Sequence, residues 1–310
     1  MKLYIAGING LVGSAVQSLA LESGLQVFGS GSKTLNFLDE EHVQQEFKIV
    51  KPDVLLISAA RVGGIRANLD SPVTYLKENL VIQNNLIGAA HKMGISRVIF
   101  LGSSCFYPKL AEQPIKEESL LSLPLEPTNE PFAIAKIAGL KLIEAYRRQF
   151  AYDWFTLIPC NLYGPRDNFD LIEGHALPSL MHKIELAKVN KQRKLSLWGD
   201  GSPLREFMHA SDLARAILFL MDKSILHSHI NVGSGEEITI KTLALQMKEL
   251  IGFDGEILFD KNSLNGTPRK VLDSSIIRSY GWKPSITLNE GLKGTYEWLL
   301  SHWENFRGRC

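Results

Sequence analysis

A glycine-rich turn directly after the first apolar run constrains this chain more than any other feature. Gly7, Gly10 and Gly13 follow the strand predicted over Lys2–Ala6 and open a predicted helix. Glycines in that setting permit a tight turn and let backbone N–H groups approach a pyrophosphate, whose charge a helix N-terminus favours. The GxxGxxG spacing differs from the usual GxGxxG, but its place between first strand and first helix predicts dinucleotide binding.

Short apolar runs alternate with amphipathic stretches through the first 160 residues. Strands are predicted over Lys2–Ala6, Gln26–Phe28, Asp53–Ser58, Arg97–Leu101 and Trp154–Ile158, and helices over Leu11–Leu21, Pro72–Met93 and Phe132–Arg148. Strands rich in Val, Ile and Leu that alternate with helices indicate a parallel sheet covered on both faces. Right-handed crossovers then give an α/β fold with a Rossmann-like, doubly wound sheet, whose ligand crevice lies at the carboxyl ends of the strands.

The pattern changes after Pro159, where Asn161–Asp170 is predicted to be a loop. Helices are predicted over Leu177–Asn190, Ser211–Met221, Ile240–Ile251 and Leu288–Ser301, and strands over Leu195–Trp198, Arg205–His209, His229–Val232 and Glu256–Phe259. The strand at His229–Val232 is expected to return to the main sheet. We therefore predict a dinucleotide-binding domain over 1–165 plus about 209–233, and a smaller α/β substrate lobe over about 166–208 and 234–310.

Charge and apolar patterning exclude several classes of function. The chain has 34 Lys and Arg against 33 Asp and Glu, a formal charge of +1, which gives no reason to expect nucleic acid as a partner. No apolar stretch approaches the roughly 18 residues that span a bilayer, so no membrane association is expected. Cys105, Cys160 and Cys310 cannot form a disulfide framework, and no His/Cys cluster suggests a metal, which is typical of a reduced cytoplasmic protein.

The end of the second strand indicates which nicotinamide cofactor is bound. A carboxylate there binds a ribose 2′-hydroxyl, whereas basic side chains favour a 2′-phosphate. No carboxylate occurs between Phe28 and Lys33, while Ser30, Ser32 and Lys33 are suited to hold a phosphate. This favours NADPH over NADH, although a lysine that is merely solvated is the competing interpretation.

Further motifs extend over nearly the whole chain. They are Ala59–Ile65, Leu101–Cys105, Tyr107–Lys109, Leu125–Pro131, Asn161–Pro165, Trp198–Gly199, Arg205–Phe207 and Gly266–Lys270, together with a helix that carries Phe132 and Lys136 one turn apart. This set resembles the extended short-chain dehydrogenase/reductases and, within them, the GDP-L-fucose synthases, which epimerise and reduce GDP-4-keto-6-deoxymannose. The resemblance implies NADPH as cofactor, a GDP-linked 4-keto-6-deoxy sugar as substrate, and a homodimer formed through the helices near Pro72–Met93 and Phe132–Arg148.

The resemblance also implies a catalytic set. Ser103 is expected to hydrogen-bond the substrate oxygen, and Lys136 to hold the nicotinamide ribose. Position 132 is a tyrosine in the family, and its phenol protonates the C4 oxygen after hydride transfer. Phe132 keeps the ring and lacks the proton, which indicates either a Tyr→Phe substitution that traps a complex or a natural variant with other chemistry. Retention of Ser103, Cys105, Lys136 and His175 favours the substitution.

Cys105 and His175 are implied to be the base and acid of epimerisation. A C4 ketone acidifies the protons on C3 and C5, so one group removes a proton from one face and the other returns one to the opposite face. Thiol and imidazole groups, with reference pKa values near about 8.5 and 6.5, suit that exchange at neutral pH. Which carbon is inverted stays open, as does the choice among hexose, dideoxyhexose and heptose substrates.

Two sets of binding residues follow from the resemblance. Those expected to contact the cofactor are Gly7, Gly10, Leu11, Val12, Gly13, Ser30, Lys33, Asp39, Ala59, Ala60, Lys136, Asn161, Leu162 and His175. Those expected to contact the sugar nucleotide are Lys183, Trp198, Arg205, Asn265 and Arg269. A tryptophan stacks on a base, and an arginine grips pyrophosphate with two hydrogen bonds. Asn265 stands where the family often has aspartate, so looser selectivity for guanine is expected.

Two other functions are compatible with these residues. One is a catalytically silent nucleotide-sugar-binding protein, which only Phe132 supports. The other is a redox-neutral epimerase that holds its cofactor tightly. The retained catalytic residues argue against the silent protein, because binding alone needs none of their chemistry.

Overall fold

The fold is built on a parallel sheet of six strands. The structure is a computed structural model that describes residues 1–260, 267–306 and 308. Its strands are β1 (Lys2–Ala6), β2 (Gln26–Ser30), β3 (Val54–Ile57), β4 (Arg97–Leu101), β5 (Phe155–Pro159) and, later in the chain, β9 (His229–Val232). Their order across the sheet is β2-β1-β3-β4-β5-β9, so the chain winds outwards in both directions from β1. The Rossmann-like fold predicted from the sequence is confirmed.

Helices cover both faces of this sheet. They are α1 (Leu11–Glu22), α2 (Glu40–Val50), α3 (Ile65–Asp70), α4 (Pro72–Lys92), α5 (Glu130–Phe150) and α7 (Ala210–Met221). Because side chains alternate along a strand, Leu3 and Ile5 of β1 pack into one apolar core, while Tyr4 and Ala6 pack into a second one on the opposite face. This double burial explains why the strands read as continuous apolar runs.

A smaller lobe packs beside the carboxyl edge of the sheet. Its elements are β6 (Asn161–Tyr163), α6 (Ala176–Val189), β7 (Lys194–Trp198), β8 (Leu204–His209), β10 (Glu237–Thr239), α8 (Ile240–Ile251), β11 (Glu256–Asp260), β12 (Arg269–Lys270) and α10 (Leu288–Ser301). The short helix α9 (Ser275–Ser279) packs on β9 of the main sheet instead, where Ile277 joins the main core. Strand β8 pairs with β6, β10 and β12, and β11 pairs with β7. Met181, Ile184, Met247 and Leu299 fill a third core between these helices and strands.

Most predicted elements lie within two residues of the observed bounds, and the exceptions have physical causes. The prediction of a loop over Asn161–Asp170 was wrong at its start, because β6 forms by pairing with β8, more than 40 residues away. Helix α2 was not predicted, since most of its residues are polar and only Val43, Phe47 and Val50 are buried. The predicted domain boundaries stay a prediction. Within the described residues, no helix is long and apolar enough to cross a membrane.

Candidate active site

The turn between β1 and α1 has no room for a side chain at Gly7 or at Gly13. Gly7 has φ +93°, and its N–H donates to the carbonyl of Ser30 (2.8 Å). A Cβ on Gly7 would lie 2.8 Å from the nitrogen of Ala59, and one on Gly13 would lie 2.1 Å from the oxygen of Gly7. These glycines are therefore required for the close packing of the turn on β3 and on the start of α1.

Helix α1 presents its N-terminus at this turn without a competing side chain. Gly10 is the N-cap and makes no side-chain hydrogen bond, and no acidic residue occupies the first turn, which begins with Leu11 and Val12. The first N–H groups and the positive end of the helix dipole are thus suited to an anion. The residues present fit the pyrophosphate of a dinucleotide.

The end of β2 differs from the sequence interpretation. Ser30 is only 7% exposed, and its hydroxyl donates to Glu46 on α2 (3.5 Å), which also accepts from the hydroxyl of Tyr4 (3.2 Å). The Ser30 side chain is therefore directed into the protein, and its assignment as a phosphate ligand stays a prediction. Ser32 and Lys33 are exposed and remain candidates for that contact. Glu46 was missed because α2 was not predicted.

The remaining residues predicted to contact the cofactor lie on several elements. Asp39 caps α2 and accepts from the N–H of His42 (3.1 Å). Ala60 lies in the turn after β3, and Asn161, which precedes Leu162 in β6, donates to the carbonyl of Glu206 (2.9 Å). The side chains of Asp39 and Asn161 thus already form hydrogen bonds with backbone groups of the protein itself.

Ser103 and Cys105 follow β4 at the carboxyl edge of the sheet. The Ser103 hydroxyl accepts from the N–H of Cys105 (3.3 Å), which holds the two side chains in a short 3₁₀ turn. The side-chain amide of Asn129 donates to the Cys105 sulfur (3.2 Å), and the Lys270 ammonium lies 3.9 Å from it. Both groups are hydrogen-bond donors to the sulfur.

Asn129 and Lys270 were not assigned from the sequence, where they appeared only inside longer motifs. The Asn129 carbonyl oxygen and the Thr128 hydroxyl are buried and accept or donate no hydrogen bond among the described residues. Such orphaned polar atoms are costly, and ligand sites are where they are tolerated. Asn129 lies beside Cys105, so a polar group of a bound ligand has a partner there.

Phe132 and Lys136 lie on successive turns at the start of α5. Phe132 is 8% exposed and packs with Ala67, Tyr75 and Cys105. Lys136 is 4% exposed, and its ammonium lies 3.9 Å from the centre of the Phe100 ring. Burial lowers the pKa of Lys136 from its ordinary value to about 7.

His175 is the N-cap residue of α6, at the end of a loop that contacts the main domain. The N–H of Gly64, in the turn after β3, donates to the carbonyl of Glu173 (2.8 Å). A Cβ on Gly64 would lie 2.8 Å from the oxygen of Gly174. This contact joins the loop that carries His175 to the turn that lies beside the glycine loop.

A small pocket extends from Cys105 towards the smaller lobe. Lys109 and Glu126 form an ion pair across it (3.0 Å), and the Thr267 hydroxyl donates to Glu126 (3.4 Å). Arg269 also lies on this pocket, but its guanidinium forms two hydrogen bonds with Glu237 (2.7 and 2.5 Å). This ion pair uses Nε and Nη2 of Arg269, so a phosphate contact made without opening the pair would use Nη1.

Lys183 and Trp198 lie together in the smaller lobe. The lysine ammonium is 5.1 Å from the tryptophan ring centre, and burial lowers the pKa of Lys183. Trp198 is 68% exposed, which leaves an aromatic face available for stacking. Burial also lowers the pKa of Arg205, whose guanidinium donates to the carbonyl of Leu204 (2.8 Å). Asn265 lies outside the described residues.

Comparisons with known proteins agree with this arrangement. Residues 3–233 match the NAD dependent epimerase/dehydratase family. GDP-L-fucose synthase 1 of Arabidopsis thaliana is 46% identical over 97% of this chain and 94% of its own length, and GDP-L-fucose synthase of Escherichia coli (strain K12) is 41% identical over 99% of both. The solved structure of MlghC, a GDP-mannoheptose C4 reductase from Campylobacter jejuni with NADP bound, superposes with a TM-score of 0.88 at 33% identity and covers 96% of this chain and 98% of MlghC.

Proposed function

The chain belongs to the NAD dependent epimerase/dehydratase family, and we propose that it is an NADPH-dependent epimerase/reductase of a GDP-linked 4-keto-6-deoxy sugar whose reduction step is impaired by Phe132. The observation that carries this proposal is the convergence of Cys105, Phe132 and Lys136 beside the carboxyl ends of β3 and β4. Names of the relatives and of MlghC support the substrate class and the cofactor.

In this proposal the residues at the carboxyl edge of the main sheet would hold the cofactor. The turn of Gly7 and Gly13 and the N-terminus of α1 would bind its pyrophosphate. Lys33 binds the 2′-phosphate, and Lys136 binds the nicotinamide ribose. NADPH, when bound, supplies the hydride that reduces the C4 ketone.

Epimerisation uses the sulfur of Cys105 and the imidazole of His175. Cys105 removes a proton beside the ketone, while Asn129 and Lys270 stabilise the charge on its sulfur before that transfer. His175 returns a proton to the opposite face of the sugar. Ser103 hydrogen-bonds the C4 oxygen and polarises the ketone through both steps.

Reduction is slow because the group at position 132 has no proton to give. The alkoxide that forms at C4 needs a proton in the transition state, and losing a general acid costs about 10²–10⁴-fold in rate. Binding is retained, since Phe132 fills the same buried position with an aromatic ring.

The smaller lobe binds the nucleotide in this proposal. The exposed face of Trp198 stacks on the base, and Lys183 and Arg205 bind the phosphates. A homodimer forms through α4 and α5, whose exposed Val73 and Ile134 (73% and 43%) are then covered. The free thiols of Cys105 and Cys160 agree with a cytoplasmic location.

Substitution Phe132→Tyr tests the proposal directly. With saturating GDP-4-keto-6-deoxymannose or its heptose analogue, stopped-flow NADPH oxidation should rise by about 100-fold or more, with little change in the Kd of either ligand. Solvent-deuterium incorporation into the same sugars reports epimerisation separately. If tyrosine restores no oxidation with either sugar, hydride transfer is not the reaction. Deuterium incorporation would then indicate a redox-neutral epimerase, and its absence a silent binding protein.

A further inference from the structure

We propose that Tyr75 is the proton donor for the residual reduction that this chain carries out, in place of the phenol that position 132 lacks. The inference rests on the proposed function, because it needs a ketone that is reduced. It adds a residue that neither the sequence motifs nor the family resemblance assigned.

The fold brings Tyr75 beside Phe132. Helices α4 and α5 follow the neighbouring strands β3 and β4, pack side by side, and both begin at the carboxyl edge of the sheet. Tyr75 is the fourth residue of α4 and Phe132 the third of α5, so the two rings lie in the first turns of parallel helices. With Ala67 they form one apolar cluster, against which Cys105 packs.

The hydroxyl of Tyr75 points to the turn after β3. A Cβ on Gly63 would lie 2.2 Å from that oxygen, so the hydroxyl rests against the backbone where glycine leaves space for it. Asn79 accepts from the N–H of Arg61 (2.8 Å), and Asn68 donates to the carbonyl of Gly63 (2.9 Å). The turn is therefore held firmly, and the phenol has a fixed place beside it.

This turn is the one that borders the crevice. It begins with Ala59, whose backbone is in contact with the glycine loop, and Gly64 at its end contacts the loop that leads to His175. A phenol here is 6% exposed, which excludes bulk water from most of its surface. The site thus contains a phenolic oxygen that lies against Gly63 in this turn, on a side chain that packs with Phe132.

The reduction balances with Tyr75 as donor. As hydride bonds to C4 of the sugar, the electrons of the C=O bond move to the oxygen. The O–H bond of Tyr75 breaks, a new O–H bond forms on the C4 oxygen, and the resulting phenolate regains a proton from water. The competing proton donors are Ser103 and a water molecule. Either of them would leave the rate of NADPH oxidation unchanged when Tyr75 is replaced.

The test compares Tyr75→Phe with Tyr296→Phe. Tyr296 is similarly buried (7% exposed) and donates to Glu185 (2.7 Å) in the smaller lobe, so it controls for loss of a buried hydroxyl. Single-turnover NADPH oxidation should fall at least about tenfold in Tyr75→Phe and stay unchanged in Tyr296→Phe. NADPH affinity and Cys105-dependent deuterium incorporation should not change, whereas a merely structural role would alter them too. Oxidation at the parent rate would overturn the inference.

Combining substitutions separates this inference from the proposed function. In the Phe132→Tyr background, Tyr75→Phe should have little effect, because the phenol on α5 takes over. If Phe132→Tyr accelerates oxidation while Tyr75→Phe leaves the parent rate unchanged, the inference fails and the proposed function stands. If no variant oxidises NADPH, the proposed function fails and the inference with it.

Fluorotyrosine labelling gives a readout that needs no turnover. The protein has eight tyrosines, and the ¹⁹F resonance of Tyr75 is the one missing from the labelled Tyr75→Phe protein. That resonance should shift when NADP⁺ and GDP bind together, while the resonance of Tyr296 should not. A Tyr75 resonance unmoved by both ligands would overturn its placement in the crevice.

Discussion

Replacing Lys136 with methionine should make the protein more stable while it removes a group that the site needs. Lys136 is buried, and burial lowers its pKa from 10.5 to about 7. At about 1.4 kcal/mol per unit of pKa, keeping this ammonium charged in the folded state costs about 4–5 kcal/mol as an upper bound. The parent also gains about 1–2 kcal/mol from the attraction between the Lys136 ammonium and the Phe100 ring. Methionine keeps the packing of the lysine stem but lacks this attraction, so the expected gain in stability is smaller by that amount.

The sign of the pH dependence follows from the lowered pKa. Between pH 7 and pH 10.5 the unfolded chain binds a proton that the folded protein has released, so the free energy of unfolding rises with pH in that window. Below pH 7 the cost is fully present. The methionine variant has no such cost, and we expect it to be more stable than the parent by about 3 kcal/mol at pH 6.5, with the difference almost gone at pH 10.

Urea unfolding followed by tryptophan fluorescence at the two pH values measures this difference. Lys141→Met on the same helix is the control, because Lys141 is half-exposed and its ion pair with Glu144 is a surface one. That control should change the free energy of unfolding by less than about 0.5 kcal/mol at both pH values. The reasoning is refuted if Lys136→Met is no more stable than the parent at pH 6.5. It is also refuted if the difference in free energy of unfolding does not become smaller as the pH rises.

Further outcomes are expected from four single substitutions. Cys105→Ser should leave cofactor binding intact and abolish most deuterium exchange, because a hydroxyl is a far poorer base than a thiol. Exchange at the parent rate in this variant would mean that another residue is the base. His175→Asn should allow some exchange without net inversion. Lys33→Ala should weaken NADPH but not NADH in fluorescence titrations, and equal affinities in the parent would contradict a phosphate contact. Gly64→Ala should lower net inversion relative to exchange by displacing the loop that carries His175, while Gly88→Ala, whose Cβ meets nothing within 4 Å, should behave as the parent.

The parts of the fold that the sequence predicts are those whose signals are local. Strand β3, and β4 after Arg97, are apolar because both faces of the sheet are covered, and the turn at Gly7 needs glycine for its own conformation. By contrast, β6 exists only because β8 pairs with it. Glu46 accepts a hydrogen bond from Ser30 and lies on α2. That helix was not predicted because most of its residues are polar and few of them are buried.

The site follows the same division. The resemblance proposed Cys105 as a catalytic group, but the partners of its sulfur lie 24 and 165 positions along the chain, at Asn129 and Lys270. Tyr75 is 57 positions from Phe132 in the sequence. The two residues meet only because α4 packs on α5, and no periodic pattern in the sequence indicates that contact. Contacts of this kind depend on tertiary structure, so no local pattern in the sequence can predict them.

The energetic costs in the site argue for chemistry over binding alone. Lys136 is buried at the expense of its charge, and the Thr128 hydroxyl and the Asn129 carbonyl oxygen are buried without partners among the described residues. Each of these costs about 1–3 kcal/mol or more, and a methionine or a leucine would remove it. For binding alone, a neutral hydrogen-bond donor at position 136 would serve at a lower cost than a buried ammonium. The proposed reaction accounts for these costs by the charge that develops on the Cys105 sulfur and on a sugar oxygen, and in that proposal Phe132 slows only the reduction step.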